Sequence, residues 1–502
     1  MRPSPPAALC GSAPAASPPT PRTSSCSSAT AWGLDLTAAR IYQGQLRGAD
    51  GASNRLSFER FPNLALVKTY SADSLVTDSA NGASAMMTGV RTINGALGVD
   101  ASVDRDSCAS ALAARVETVA ELAKARASRP ARSAPRRSPT PPRRPSTPIP
   151  AQGVGRGFRH TAGGGGGCID IARQLVEAPE AVRLDLALGG GAEFFKAAKR
   201  RDGRDLTHEW AGRPGSVFVD TAQALVALPN GTRRVLGLFA SNNMRRETDR
   251  PSDAPRLADM TKSAISFLSQ NPKGYFLMVE GGLIDKAHHV GLAHEALNET
   301  VEFDAAIVQA LAMTDPRNTL ILVTADHSHG LTISGGARNS PILGLVPDAD
   351  GKPKLAADGK PYGILNYETG PGAPGAGETR FDPATKDTLD PAYVAQAAIP
   401  MSSAAHTGRM SRSTPKDRGR TRPWPDRPAR HLRNHASGSG ASGAEAPCAA
   451  LEPTTQFILA DVIQVSRDRV WSGRSPARDG SRQAGLPPPL HPAISTGWKR
   501  AC

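Results

Sequence analysis

The chain has 502 residues, among them 49 glycines and 43 prolines, and its formal net charge is +14. Its length suffices for one large domain or for several smaller ones, but this much Gly and Pro indicates that part of the chain is not packed core. No apolar stretch is long enough to span a bilayer, so we expect no transmembrane segment. The charge favours a nucleic-acid or membrane-surface partner only if it belongs to the folded part of the chain.

The positive charge is concentrated in two segments. Residues 121–160 hold ten Lys/Arg and one acidic residue, and residues 407–502 hold sixteen Lys/Arg and seven acidic residues. Each segment is therefore +9, which leaves −4 for the rest of the chain. Frequent proline and the lack of apolar periodicity predict disorder around both segments, because neither a helix nor a central strand tolerates such proline content.

Composition divides the chain into five parts. Residues 34–126 and 166–408 are predicted to fold, whereas 1–33, 127–165 and 409–502 are predicted to be mostly disordered. The first of these disordered parts is rich in Ala, Pro and Ser. It lacks the uninterrupted apolar core of a secretory signal, so no signal peptide is legible.

Helix and strand patterns alternate in the folded parts. Residues 116–125 and 167–178 have helical spacing, and residues 258–271 begin like a capped amphipathic helix. Residues 273–282 and 318–330 are short apolar runs that end in polar side chains. Such runs are typical of buried strands in a largely parallel sheet, with the chemistry at their carboxyl ends. The pattern predicts an α/β fold.

The first candidate for chemistry is Ser79, which follows Asp78 in the run SLVTDSANGASAMMTGV. Small residues after Ser79 allow a helix or turn to pack close to a ligand. A serine at a helix N-terminus near cations can act as a nucleophile without a histidine base, and the helix end favours phosphate. The alternative is an ordinary serine near a helix cap.

The second candidate is the run MVEGGLIDKAHHVG, which holds Glu280, Asp285 and His289. If a helix begins near Ile284, Asp285 and His289 share one face, as two ligands of one metal require. The alternative for each residue taken singly is a polar loop between a strand and a helix.

A third run, TADHSH, places Asp326 and His327 at the end of an apolar strand, with His329 just after them. Taken alone, a surface loop is an equal interpretation. Two strands that both end in Asp, Glu or His favour a metal site. Because paired cysteines are missing from the core sequence, we expect a catalytic site and not a structural one.

These three motifs, in this order, resemble the alkaline phosphatase family. The runs TAARIYQGQ, ERFPNLALVKTY, LALGGGAEFF, SPILGLV and PMSSAAHTG add to the resemblance, which covers residues 37–123 and 166–408. It implies a three-layer sandwich with a largely parallel central sheet flanked by helices. It also implies hydrolysis of phosphate monoesters through a phosphoserine, with two zinc ions and one magnesium ion.

The resemblance implies a role for each site residue. Ser79 is the expected nucleophile, with Asp78 beside it. The expected ligands of the first zinc are Asp285, His289 and His406. Those of the second zinc are Asp326 and His327, and Glu280 is the expected ligand of the magnesium. Cys108 and Cys168 stand where some members have a disulfide, which implies an oxidising compartment. Members are usually homodimeric and periplasmic or extracellular.

Three family elements are missing, and a shifted reading frame restores each of them. Residues 21–33 can be encoded so that the same DNA, read two nucleotides later, gives Ala-Asn-Val-Ile-Leu-Phe-Ile-Gly-Asp-Gly-Met-Gly. This shifted sequence contains the Asp that bridges two metals in the family. Residues 138–150 likewise give Thr-His-Ala-Thr, and residues 410–417 give Val-Ala-Ile-Tyr-Ala-Lys-Gly. We infer frame-shifted segments, and we expect weak or no activity from the chain as written.

Two alternatives stay open at this point. One is an inactive or decayed phosphatase relative that keeps a partial metal site. The other is a basic nucleic-acid-binding protein whose Arg/Pro runs contact phosphates. We expect no nucleic-acid partner, because no aromatic residues for base stacking interleave with the arginines.

Overall fold

The computed structural model describes residues 23–29, 34–105, 107–128, 169–409, 411–416 and 457–458. The chain divides into two units, Met1–Gln464 and Val465–Cys502, and all described residues lie in the first. Most of the segment 127–165 and of the tail after residue 416 therefore lies outside the described residues.

The described residues form ten α-helices, several of which begin with a polar cap. They are α1 (Leu34–Leu46), α2 (Ser79–Thr88), α3 (Cys108–Ala113), α4 (Val119–Ser128), α5 (Ile171–Glu177), α6 (Leu206–Ala211), α7 (Ala222–Val226), α8 (Leu257–Leu268), α9 (Leu283–His289) and α10 (Ala293–Met313). Among the described residues, none of these helices combines the length and the apolar character that crossing a bilayer requires.

The strands form one larger sheet and three smaller ones. They are β1 (Thr23–Ala29), β2 (Ala65–Val67), β3 (Leu186–Gly189), β4 (Ser216–Val219), β5 (Arg234–Leu238), β6 (Phe276–Gly281), β7 (Thr319–Thr324), β8 (Ser328–His329), β9 (Leu331–Ile333), β10 (Leu365–Gly370), β11 (Ala397–Pro400), β12 (His406–Thr407), β13 (Ser411–Lys416) and β14 (Phe457–Ile458).

The larger sheet is parallel at its centre. β1 pairs in parallel with β6 and with β7, and Ser28 lies level with both Glu280 and Thr324. β13 pairs antiparallel with β7 and with β2. The carboxyl ends of β1, β6 and β7 therefore meet at one edge.

Three of these strands lie in segments for which disorder is predicted, 1–33 and 409–502. β1 lies in the first segment, and β13 and β14 lie in the second. Their sequences lack the apolar alternation of a typical strand. Most of both segments lies outside the described residues, so their disorder stays a prediction. Strand pairing uses main-chain N–H and C=O groups, so the open edges of the apolar strands β6 and β7 can order a neighbour whatever its side chains are.

The helices pack the sheet into one main core. α8 and α10 pack against each other and against β6. Phe303 and Ile307 of α10, Ile284 of α9 and Val323 of β7 are all 0% exposed. A smaller cluster around Trp210 lies under the β3–β5–β4 sheet. The predicted α/β class, with a largely parallel sheet and flanking helices, is confirmed.

Because Glu299 of α10 is buried, we expect the free energy of unfolding of the protein to depend on pH. Its carboxyl is buried, which raises its pKa from 4.5 to about 7, although it accepts a hydrogen bond from the Glu247 amide at 2.7 Å. The folded state therefore holds this proton up to a higher pH than the unfolded chain, and its free energy of unfolding falls between pH 4.5 and 7. The expected loss is about 2 to 3 kcal/mol, at 1.36 kcal/mol per pKa unit.

Glu299→Gln is expected to remove this loss while keeping a hydrogen-bond acceptor. The melting temperature of the variant, relative to the wild type, should rise as pH increases from 4.5 to 8. Thermal melts across this range measure it. A difference that does not change with pH would show that Glu299 keeps an ordinary pKa in the folded protein.

Candidate active site

Ser79 is the first residue of α2, and Asp78 is its cap. The Asp78 carboxylate accepts hydrogen bonds from the backbone amides of Asn81, at 3.0 Å, and Gly95, at 2.6 Å. These bonds hold the first turn of the helix, so the position of the Ser79 hydroxyl is set by main chain. The free amides and the dipole at this end stabilise negative charge.

The Ser79 hydroxyl faces the end of β7. Its Oγ lies 3.0 Å from Nε2 of His327, which is 0% exposed. Asp326 precedes His327, and its Oδ2 lies 3.3 Å from the same Nε2. The structure therefore places the predicted nucleophile against the predicted ligands of the second metal.

Gly82 allows this close approach. A Cβ added at Gly82 would lie 2.6 Å from Cβ of Asp326, a separation that real Cβ atoms do not show. Since Cβ of Asp326 moves only with its backbone, a larger residue must push α2 away from the end of β7.

Gly82→Ala is therefore expected to lower the free energy of unfolding by about 1 to 3 kcal/mol, the usual cost of overpacking. It should also lengthen the contact between Ser79 and His327 and reduce the phosphatase turnover that the family resemblance implies. Chemical denaturation and hydrolysis assays on the same preparation measure both effects. Unchanged stability would mean that α2 does not pack this tightly on β7.

Asp285 is the centre of a histidine cluster. Its Oδ1 lies 2.7 Å from Nε2 of His329 and 3.3 Å from Nε2 of both His289 and His406. Its Oδ2 binds Nζ of Lys286 at 2.9 Å. The carboxylate is buried, yet its pKa is held well below the usual range: burial opposes ionisation, but the bonds to His329 and His406 outweigh it.

Backbone carbonyls orient two of these histidines. Nδ1 of His289 lies 2.8 Å from the Ala404 carbonyl, and Nδ1 of His406 lies 3.2 Å from the Thr77 carbonyl. A carbonyl only accepts, so each Nδ1–H donates and each Nε2 faces the cluster, where the two Nε2 atoms lie 3.1 Å apart. Two nitrogens and a carboxylate oxygen that converge in this way suit a divalent cation.

Four side chains can reach one metal ion in the described part of the chain. The donor atoms of Asp285, His289, His329 and His406 all lie within 4.8 Å of one another. The sequence analysis placed three of them in one site and left His329 out. The available signal was the spacing of the TADHSH run, which puts His329 on the short strand β8, opposite His406 of β12.

The second group adjoins the first. The rings of His327 and His406 stack, with centroids 3.6 Å apart and planes 17° apart. Asp326 is buried, and burial raises its pKa to about 7, with the Asp285 charge adding to the effect. Burial disfavours the ionised form of this carboxyl, so a bound cation would stabilise that form strongly.

Glu280 is the last residue but one of β6, and its side chain is partly buried. Its Oε2 has no hydrogen-bond partner among the described residues, and burial, followed by the charge of Asp326, raises its pKa to about 8. An unpartnered buried carboxyl oxygen beside other carboxylates is costly in the free protein. These oxygen donors fit a hard cation such as magnesium.

β1 ends beside these ligands. Ala29 pairs with Gly281, one residue beyond the row that joins Ser28 to Glu280 and Thr324. No carboxylate occurs in residues 23–33. The strand that lies between β6 and β7 therefore brings no acidic ligand to the point where the other metal residues meet.

The cysteine pair falls partly outside the described residues. Cys108, the first residue of α3, is disulfide-bonded. Its predicted partner, Cys168, lies outside the described residues. The pairing of these two cysteines stays a prediction.

Known proteins resemble this chain over most of its length. The family model described as "Alkaline phosphatase" matches residues 33–133 and 150–411. The tissue-nonspecific alkaline phosphatase of Gallus gallus is 35% identical over 409 residues, 74% of this chain and 75% of the relative. An alkaline phosphatase of Gadus morhua is 33% identical over 407 residues, 74% of this chain and 82% of the relative.

Solved structures agree with the fold. A mutant of the TAB5 alkaline phosphatase, described with Mg bound in its M3 site, gives a TM-score of 0.50 at 21% identity. The match covers 79% of this chain and 91% of that chain. These similarities confirm the resemblance drawn from the three motifs. The chain belongs to the alkaline phosphatase family of metal-binding hydrolases.

Proposed function

We propose that this chain hydrolyses phosphate monoesters through a phosphoserine intermediate at Ser79. The observation that carries the proposal is the position of Ser79. Its hydroxyl lies at a helix N-terminus, 3.0 Å from His327, and His327 in turn stacks on His406 of the Asp285 cluster. A nucleophile, an anion-stabilising helix end and a metal-type donor set thus share one site.

The donor chemistry supports two zinc ions and one magnesium ion. The ligands in this proposal are, for the first zinc, Asp285, His289 and His406; for the second zinc, Asp326 and His327; and for magnesium, Glu280. Bound zinc lowers the pKa of a hydroxyl and stabilises a departing oxygen. Mixed His and carboxylate donors suit zinc, and an all-oxygen environment suits magnesium.

The protein residues supply position and nucleophile. Ser79 Oγ–H releases its proton to solvent and Oγ attacks phosphorus: the Oγ–P bond forms, the ester P–O bond breaks, and the leaving oxygen takes a proton from water and departs as the alcohol. Water then attacks the same phosphorus, the Oγ–P bond breaks, and inorganic phosphate is released. The proton that this water gives up restores the Ser79 hydroxyl. The N-terminal amides of α2 face the phosphoryl oxygens throughout. Lys286, whose side chain is half exposed beside Asp285, adds a cation at this site.

The chain as written is proposed to be impaired. β1 reaches the metal residues without a carboxylate, so the residues that would hold the second zinc and the magnesium have one acidic partner fewer than the family resemblance implies. The phosphate-binding Arg of the family falls in the segment that lies outside the described residues. A decayed relative with a partial metal site is the alternative that this observation favours.

Hydrolysis of p-nitrophenyl phosphate tests the proposal directly. Purified chain with zinc and magnesium should show slow turnover, and a chelator should abolish it until zinc is added back. Binding of zinc without turnover would select the decayed relative. Turnover that survives complete metal removal would contradict the proposed site.

We also propose, from family membership, a homodimer located in the periplasm or outside the cell. Light scattering of the purified chain measures its mass in solution. A monomer at micromolar concentration would contradict the first part, and retention in the cytoplasm of a native host would contradict the second.

A further inference from the structure

A buried histidine–tyrosine pair lies directly behind the metal residues. His288 of α9 is 0% exposed, and its Nδ1 lies 2.8 Å from the hydroxyl of Tyr367. Tyr367, in β10, is 2% exposed. Neither residue belongs to the four whose donor atoms can reach one metal ion. The pair therefore needs a role other than direct ligation.

The pair contacts the cluster through one ring. The His288 ring stacks on the His329 ring, with centroids 5.1 Å apart and planes 23° apart. His329 Nε2 lies 2.7 Å from Asp285 Oδ1. A carboxylate only accepts, so His329 donates this bond, and its ring plane sets the direction from which Asp285 is held.

The same ring is fixed from its other sides. His289 and His406 meet His329 edge-on, with ring centroids 4.7 Å and 5.0 Å away. His288 supplies the stacking face, and its own rotation is fixed by the bond to Tyr367. A hydroxyl on β10 is thus connected, through two imidazoles, to the carboxylate at the centre of the site.

We propose that Tyr367 and His288 are positioning residues of the metal site, which hold His329 and, through it, Asp285 in the metal-binding orientation. The inference rests on the proposed function, because it assumes that Asp285 binds zinc. Partners in the outer shell of metal ligands typically change metal affinity by 10- to 100-fold when they are removed. A purely structural pair would change stability and leave zinc affinity alone.

Tyr367→Phe is the most specific test, because it removes only the hydroxyl that contacts His288 and keeps the aromatic ring. The matched control is Tyr42→Phe: the Tyr42 hydroxyl also contacts a histidine, Nε2 of His294 at 2.9 Å, and it donates to Asn298 at 2.7 Å. Neither of these control partners belongs to the group that can reach one metal ion. Both variants should lose some thermal stability.

Zinc affinity separates the two roles. In titrations of metal-free protein against a chromogenic chelator, Tyr367→Phe should weaken binding of the tighter zinc by about tenfold or more, while Tyr42→Phe leaves it unchanged. His288→Gln should weaken binding as well, since it removes the stacked ring. The visible spectrum of the cobalt-loaded protein should shift in Tyr367→Phe and in His288→Gln, but not in Tyr42→Phe.

Two negative results are distinguishable. If the wild type binds zinc and both tyrosine variants bind it equally, the positioning role is wrong and the proposed function stands. If the wild type takes up no zinc, the proposed function fails, and the positioning role fails with it.

Discussion

Replacing Ser79 with alanine is expected to abolish hydrolysis of phosphate monoesters, with a loss on the order of 10³-fold or more. The variant lacks the oxygen that forms the bond to phosphorus, and the remaining residues offer only positioning to a water molecule. Losing several kcal/mol of transition-state stabilisation corresponds to this range at 1.36 kcal/mol for each factor of ten. The fold should survive, because Asp78 and not Ser79 caps α2.

A second serine in the same helix is the control. Ser84 is buried, donates to the Ala80 carbonyl at 2.8 Å and accepts from the Gly98 amide at 2.8 Å. Ser84→Ala should cost about 1 to 3 kcal/mol of stability, since it leaves a buried amide without a partner, yet it should keep turnover per folded molecule. Hydrolysis rates and labelling with radioactive phosphate, followed by peptide mapping, compare the two. A labelled Ser79→Ala protein would place the phosphoserine elsewhere.

The second large effect is a gain of zinc binding and of turnover, which we expect when the sequence of β1 is replaced. Replacing residues 23–32 by Val-Ile-Leu-Phe-Ile-Gly-Asp-Gly-Met-Gly puts an aspartate at position 29, level with Gly281 and one residue beyond Glu280. The apolar residues also match the buried strands on both sides. The new carboxylate should raise zinc uptake from one ion toward two per chain and increase turnover by on the order of 10³-fold, since a metal ligand contributes several kcal/mol.

The matched control for this repair is the same segment with Gly-Asn-Gly. It keeps the strand and its apolar side chains but not the charge. It should gain stability like the aspartate version, without the second zinc or the turnover. Metal analysis by mass spectrometry and p-nitrophenyl phosphate hydrolysis provide the measurements. Equal activity of the two versions would mean that the strand, and not the carboxylate, limits this chain. Resequencing the gene is expected to find single-base insertions or deletions that flank the segment.

Much of the site was predictable from local sequence. Apolar runs that end in Glu280 and Asp326 indicated parallel strands whose carboxyl ends meet, and the structure brings these ends together. Asp285 and His289 are four residues apart in α9, so helical geometry alone puts them on one face. Apolar pattern did not predict β1 or β13, because these strands pair with their neighbours through main-chain groups and lack an apolar alternation of their own.

Local sequence determined which residues can bind a metal or attack phosphorus, because side-chain type and short spacing are properties of the chain itself. Tertiary structure decided which of them meet. His329 joins Asp285, and Tyr367 reaches His288 across 79 positions of sequence. The pairing of β1 with β6 and β7 brings the end of β1, which carries no carboxylate, next to the metal residues. The +14 charge divides in the same way: its surplus lies in segments largely outside the described residues, and the metal-binding body is −4. Contacts between distant segments follow from packing and strand register, which no short stretch of sequence contains.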